Sequence, residues 1–258
     1  MAIQEHPFYI PLEENAIIWR YMNLKKFEDI LVKKALFFCR ADKFTDLNEG
    51  TIPKKETENR LKAQRQVSER FGNPFNHDKA SENIIALDEL HKGMKRSTLV
   101  NCWHINRFES GKMWELYVGN DQGVAIQSNK ERIERCFGLL TTNIEMSKVR
   151  YLDYENDIWF HKDEFPHYSY AAITPLIHKK VEFQHEAEFR VFLINNEAIK
   201  NEDYWNDSKG MDVEVNVEDL VEKVIIPPNS DSSFMNKIEL IIEKYGFDFN
   251  VEKSTFSR

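Results

Sequence analysis

Short apolar runs of strand length recur along this chain, and helices of regular length do not separate them. Ile17-Ile18-Trp19, Ala35 to Cys39, Thr98 to Trp103 and Gly123 to Gln127 read as strands, as do Val149 to Leu152, Glu186 to Ile194, Val213 to Val217 and Val224 to Ile226. Helical signals are fewer. Asn23 stands where an N-cap belongs, ahead of Leu24, Phe27 and Leu31 at helical spacing. Lys112 to Tyr117 suits a short helix, and Ser232 to Lys244 carries Phe234, Met235, Ile238, Ile241 and Ile242 on one side. Regular βα alternation would give a doubly wound parallel sheet. This pattern instead predicts one α+β domain over residues 1–258 with mixed and antiparallel pairing. Residues 53–96, rich in charged helix formers and broken at Gly72-Asn73-Pro74, read as a two-helix insert within it.

Composition excludes several classes. A length of 258 residues with 41% hydrophobic content fits a chain that buries a core, at a mean hydropathy of −0.57. No run of apolar residues is long enough for a membrane span. The opening residues lack an apolar signal-peptide core, so no secretory leader is expected. Three cysteines, Cys39, Cys102 and Cys136, offer neither an even disulfide framework nor a C-x-x-C site, and a reducing cytoplasm is the expected setting. A net charge of −8 argues against a non-specific DNA binder. Lys54, Lys55, Arg60, Lys62 and Arg65 could form a local basic patch, or a solvated helix face partnered by Glu56 and Glu58.

Familiar fingerprints are missing: no P-loop, no G-x-G-x-x-G, no G-x-S-x-G and no H-E-x-x-H. The spacings of His161 with His167 and of His178 with His185 do not suit a zinc pair, so no metal is expected. Three segments could carry chemistry. Arg20, ending Trp19-Arg20-Tyr21 at a strand terminus, could hold a phosphate or carboxylate in its planar fork, or sit in a surface salt bridge. Trp114 and Tyr117, three apart on a helix, could stack a flat ring or pack a core. In a strand, Glu186, Glu188 and Arg190 share one face and Ala187, Phe189 and Val191 the other. The charged set reads either as a self-compensated Glu–Arg ladder or as two carboxylates with divided roles.

These residues, in this order, resemble the domain of unknown function 2971 family. Trp19-Arg20-Tyr21-Met22, Ala35 to Phe44, Asp46 and Glu49-Gly50 are similar to its opening, with Leu47 where its turn usually has Pro. Met113-Trp114-x-x-Tyr117 with Gly123-Val124-Ala125-Ile126 resembles its central block, and Val149-x-Tyr151 and Glu186-x-Glu188-x-Arg190 its last two. The layout is in turn similar to that of the ADP-ribosyltransferase superfamily, with Arg20 on a first strand and Glu186-Ala187-Glu188 on a late one. The Ser-Thr-Ser strand of the nearest subclass is missing, Ser97-Thr98 being the only approximation.

That resemblance implies sheets arranged around a cleft and an enzyme that consumes NAD by breaking its nicotinamide N-glycosidic bond, as a transferase or a glycohydrolase. Glu188 would stabilise the oxocarbenium-like ribose, and Glu186 would orient an acceptor or act as its base. Arg20 would clamp the pyrophosphate, with Tyr21, Trp114, Tyr117 and Arg190 completing the nucleotide site. A bacterial or phage-related effector is a natural setting for such an activity. The acceptor, protein or nucleic acid, stays open. Two other classes remain: a module that binds a nucleotide or partner without turnover, and a metal-dependent nuclease using Asp46, Glu49, Glu186 and Glu188. The acidic balance and the lack of a nearby lysine weigh against the last.

Overall fold

The computed structural model describes residues 3–4, 6–46, 48–119, 122–138, 140, 142–159 and 173–256. Leu47, His161 and His167 lie outside them. In chain order the elements begin with β1 (Ile3–Gln4), β2 (Ile17–Asn23), α1 (Leu24–Lys33) and β3 (Ala35–Arg40). The paired helices α2 (Lys54–Arg70) and α3 (His77–Ser97) follow, then β4 (Thr98–Ile105), α4 (Gly111–Tyr117), β5 (Gly123–Asn129) and α5 (Lys130–Cys136). Next come β6 (Ile144–Lys148), β7 (Arg150–Leu152), β8 (His178–Lys180), a 3₁₀ turn over Val181–Glu186 and β9 (Glu188–Ile194). The chain closes with α6 (Glu197–Lys200), β10 (Gly210–Glu214), α7 (Val217–Leu220), β11 (Lys223–Ile226), α8 (Ser232–Lys244) and β12 (Val251–Lys253). No described helix is long and apolar enough to cross a membrane.

The fold is α+β. One sheet runs in the order β1-β6-β9-β4-β2-β5-β11-β12, with the β3–β10 pair attached to β4. Pairing is antiparallel except for β1 with β6 and β11 with β12, and β7 and β8 form a small parallel ribbon apart.

One consequence of the register positions the site. β9 pairs with β4 along its whole length, Thr98 to His104, and so occupies one edge of that strand. The other edge is shared. β2 meets it at His104 and Ile105, β3 at Leu99 and Val100. Between these contacts β2 and β3 part, and the sheet forks. Asn101, almost fully buried, spans the gap: its Nδ2 donates to Phe37 O at 3.0 Å, and its Oδ1 accepts from Trp103 Nε1 at 2.8 Å.

Strand alternation then sorts side chains. On one face Ile18, Met22, Leu36, Phe38, Leu99, Trp103, Phe189 and Val191 join the main core under α1, α5 and α8. The opposite face carries two smaller clusters. One holds Val100, Phe192, Leu176 and Ile177; the other holds Trp19, Tyr21 and Ala125 beneath Met113, Trp114 and Val118. Helix ends follow the expected chemistry. The Asn23 side chain accepts from Lys26 N, and Asp231 accepts from Phe234 N.

Two expected strands shift. Glu186 to Ile194 begins only at Glu188, because Glu186 closes a 3₁₀ turn and Ala187 takes φ +40°. Val213 to Val217 ends at Glu214, because the Asn216 side chain caps Glu218 N and Asp219 N and starts a helix at Val217. In the insert, Lys54 pairs with Glu155 at the surface at 3.3 Å, whereas Arg60 pairs at 3.0 Å with Glu56, which is buried, so this part of the helix is not the solvated face expected.

Candidate functional site

A cleft of about 570 Å³ opens at the fork. Arg20 and Met22 line it from β2, Cys102, Trp103 and His104 from β4, and Glu188 and Arg190 from β9. Tyr117, Glu49, Lys179 and Glu186 complete its polar part. Because β2 and β3 diverge there, side chains from both faces of the sheet reach the same space.

The two sides of the cleft differ in charge. Arg20 places its guanidinium 5.8 Å from the Trp103 ring centroid, and it makes no ion pair among the described residues. Its Nη1 is buried without a hydrogen-bond partner there. Burial lowers its pKa, and the groups that oppose this are the Cys102 thiol and the Tyr117 hydroxyl, which burial itself keeps neutral. A guanidinium stays charged even so. Arg20 is only partly open to solvent, and an anion in the cleft would satisfy its buried, unbonded nitrogen.

On the other side, three carboxylates surround two cations. Lys179 Nζ lies 2.6 Å from Glu186 Oε2, 2.7 Å from Glu188 Oε1 and 3.7 Å from Glu49 Oε2. Arg190 donates from Nε to Glu188 Oε2 at 2.6 Å and from Nη1 to Leu176 O at 2.8 Å, and its Nη2 pairs with Glu49. Glu49 arrives here because Gly50 takes φ +75°, a left-handed turn beside which an added Cβ would stand 2.9 Å from Leu176 Cδ2. Lys95 Nζ donates to the Glu49 carbonyl at 2.5 Å and holds that turn.

The neighbours set the two glutamates apart. Burial opposes ionisation of Glu188, but Arg190 and Lys179 outweigh it and hold its carboxyl well below the usual range. Glu186 is pushed up to about 7, by burial first and then by its hydrogen bond with Glu188, with Lys179 only partly offsetting them. The two adjacent carboxyls thus titrate in different pH ranges, the pattern that separates an acid or base from a fixed charge.

Several expected site residues take other places. The Trp114 indole is buried beside α4, edge-on to Tyr21 at 5.0 Å, and donates to Glu109 at 2.9 Å. It packs a core rather than lining the cleft. Tyr21 borders the cleft, and its hydroxyl accepts from Ser110 N at 2.8 Å. Tyr117 is the half-exposed aromatic at the opening. Arg190, only 1% exposed, borders the cleft and directs its fork to Glu188, Glu49 and the Leu176 carbonyl. Glu186, Glu188 and Arg20 do meet in one cleft.

Two residues escaped the sequence reading. Lys179, a lysine at the heart of the carboxylates, lies on β8, which has no apolar alternation to mark it as a strand. His104, the penultimate residue of β4, lies directly opposite Glu188, with its Nδ1 2.6 Å from the Glu186 carbonyl oxygen. The absence of a nearby lysine, weighed above against a nuclease, is therefore corrected. Among the described residues no group of three His, Cys, Asp or Glu side chains is placed to hold a metal ion.

No curated protein and no solved structure matches the chain. Residues 113–191, which carry Tyr117, Lys179, Glu186, Glu188 and Arg190, match the model of the family described as protein of unknown function (DUF2971), and that match supports the family resemblance over this part of the chain.

Proposed function

We propose that the chain is an enzyme that cleaves the nicotinamide N-glycosidic bond of NAD in the forked cleft, passing ADP-ribose to water or to an acceptor. The observation that carries this reading is the division of charge in one cleft: Arg20, without an ion pair among the described residues, on one side, and an ionised Glu188 beside a protonatable Glu186 on the other. NAD has the complementary division, an anionic diphosphate and a cationic nicotinamide ribose. The cleft volume, about 570 Å³, falls within the range of small-molecule sites.

In this reading Arg20 holds the diphosphate, and Trp103 supports the guanidinium from below. The C1′–N bond breaks, its electron pair goes to the pyridine nitrogen, and neutral nicotinamide leaves. The ribose is then oxocarbenium-like, and the fixed charge of Glu188 stabilises it. Both Glu188 oxygens are engaged by Lys179 and Arg190, so its contribution is its charge. Water or an acceptor hydroxyl attacks C1′ and gives its proton to ionised Glu186. Tyr117 borders the opening through which nicotinamide leaves.

The test is nicotinamide release from NAD by purified protein in EDTA, alone and with cell lysate to supply an acceptor. The expected result is release that Glu186→Gln lowers by roughly 10²–10⁴-fold and that Arg20→Gln weakens through KM. Absence of release and of label transfer to lysate under both conditions overturns the reading and leaves a nucleotide-binding module.

A further inference from the structure

We propose that His104 Nε2 is a hydrogen-bond acceptor for a ribose hydroxyl of the bound nucleotide, so that the cleft recognises the sugar as well as the phosphate. The assignment rests on reading the cleft as a nucleotide site. It begins with a proton. His104 Nδ1 lies 2.6 Å from the Glu186 backbone oxygen, an atom that can only accept. Nδ1 therefore carries the hydrogen, and in the neutral ring Nε2 is left with a lone pair. Burial favours that neutral ring and outweighs the hydrogen bond to the Glu186 carbonyl, which favours the charged one; the neighbouring His185 acts with burial.

Nε2 is buried and has no partner among the described residues, while the residue, 4% exposed, lines the cleft. The nearby donors are already used. The Lys179 ammonium is shared among Glu186, Glu188 and Glu49, and Arg190 is spent on Glu188, Glu49 and Leu176. The Tyr21 ring centroid lies 6.3 Å from that of the imidazole, and its hydroxyl, which accepts from Ser110 N, makes no hydrogen bond to Nε2. The donor we assign to Nε2 is the ligand's.

The register says which part of the ligand. His104 is the direct cross-strand partner of Glu188, so the two side chains stand next to each other on one face. Whatever sugar faces Glu188 faces Nε2 too. Glu186, Glu188 and Nε2 are all acceptors when Glu186 is ionised, an array that repels phosphate and favours a neutral O–H donor. Arg20 supplies the opposite preference across the cleft.

The experiment has two arms. Imidazole ¹⁵N shifts of the ligand-free protein at neutral pH report the tautomer, and an Nε2–H form overturns the proposal outright. Calorimetric affinities are then compared for ADP-ribose, NAD and inorganic pyrophosphate. Wild type is expected to prefer ADP-ribose to pyrophosphate. His104→Phe is expected to lower ADP-ribose affinity by about tenfold with pyrophosphate unchanged, and His104→Gln, whose Oε1 can accept, to restore most of it. Equal affinities of His104→Phe and wild type for ADP-ribose overturn the proposal. An effect of His104→Phe on NAD that is missing with ADP-ribose assigns the donor to the carboxamide and overturns it too. Failure of nicotinamide release with the His104 effect intact sinks the catalytic reading alone, whereas release with no His104 effect sinks only this assignment.

Discussion

Replacing Arg190 by methionine removes one of the two cations that hold three carboxylates together. The stem of the side chain is roughly kept, but three contacts go: Nε to Glu188 at 2.6 Å, Nη1 to Leu176 O at 2.8 Å, and the pair with Glu49. Lys179 alone remains, 2.7 Å from Glu188 but 3.7 Å from Glu49. Glu49 and Glu188 are only 4% and 6% exposed, so water cannot make up the loss. Breaking a buried pair from one side costs about 3–5 kcal/mol, a third or more of the stability of many domains. The assay is urea unfolding of wild type, Arg190→Met, Glu49→Gln and the double variant. Glu49→Gln removes the charge that Arg190→Met orphans, so the double variant should be more stable than additivity predicts by about 1–3 kcal/mol. Glu188 is held below its ordinary range, so its contribution is present above that range and is lost as pH falls through the depressed value. The gap between wild type and Arg190→Met should be full at neutral pH and shrink below about pH 4. A loss under about 1 kcal/mol, or strict additivity, would refute the claim that this cluster is a mutually dependent ion network.

Three further outcomes follow from the same geometry. Asn101→Ala should orphan Phe37 O and Trp103 Nε1 at the fork and cost about 2–4 kcal/mol in urea unfolding; an unchanged midpoint would mean the fork does not depend on that bridge. Gly210→Ala puts a Cβ 2.0 Å from Phe38 O, so β10 should peel from β3 and the amides of Gly210–Glu214 should lose hydrogen-exchange protection. Glu186, pushed up to about 7, should make nicotinamide release rise with pH through that value, and Glu186→Gln should flatten the profile. The same raised carboxyl contributes stability that is present at low pH and lost as pH rises through about 7, and the melting temperature of Glu186→Gln should lack that decline.

Local chemistry was legible in the residues themselves. The Asn23 cap, the break between α2 and α3, the apolar side of α8 and the alternation of Glu188 and Arg190 against Phe189 and Val191 each depend on neighbours within a few positions. Such signals survive without tertiary information. The α+β class followed from the same signals, because strand-length runs without regular helices admit few arrangements. Of the strands that escaped, β1, β8 and β12 are two or three residues long, and the five-residue β6 (Ile144–Lys148) has only Ile144 and Met146 as apolar members.

What the tertiary structure alone decided is which charges meet. Glu49 and Lys179 lie 130 positions apart, yet they share a buried cluster because a left-handed turn at Gly50 and the short strand β8 converge on β9. His104 became a candidate only through its register opposite Glu188. Trp114 left the site for the core because the face of α4 that carries it packs on Tyr21. The chain alone specifies which residues can ionise. Whether Arg20 is without an ion pair among the described residues while Arg190 is spent depends on which strands share an edge of β4, and that is a property of long-range pairing.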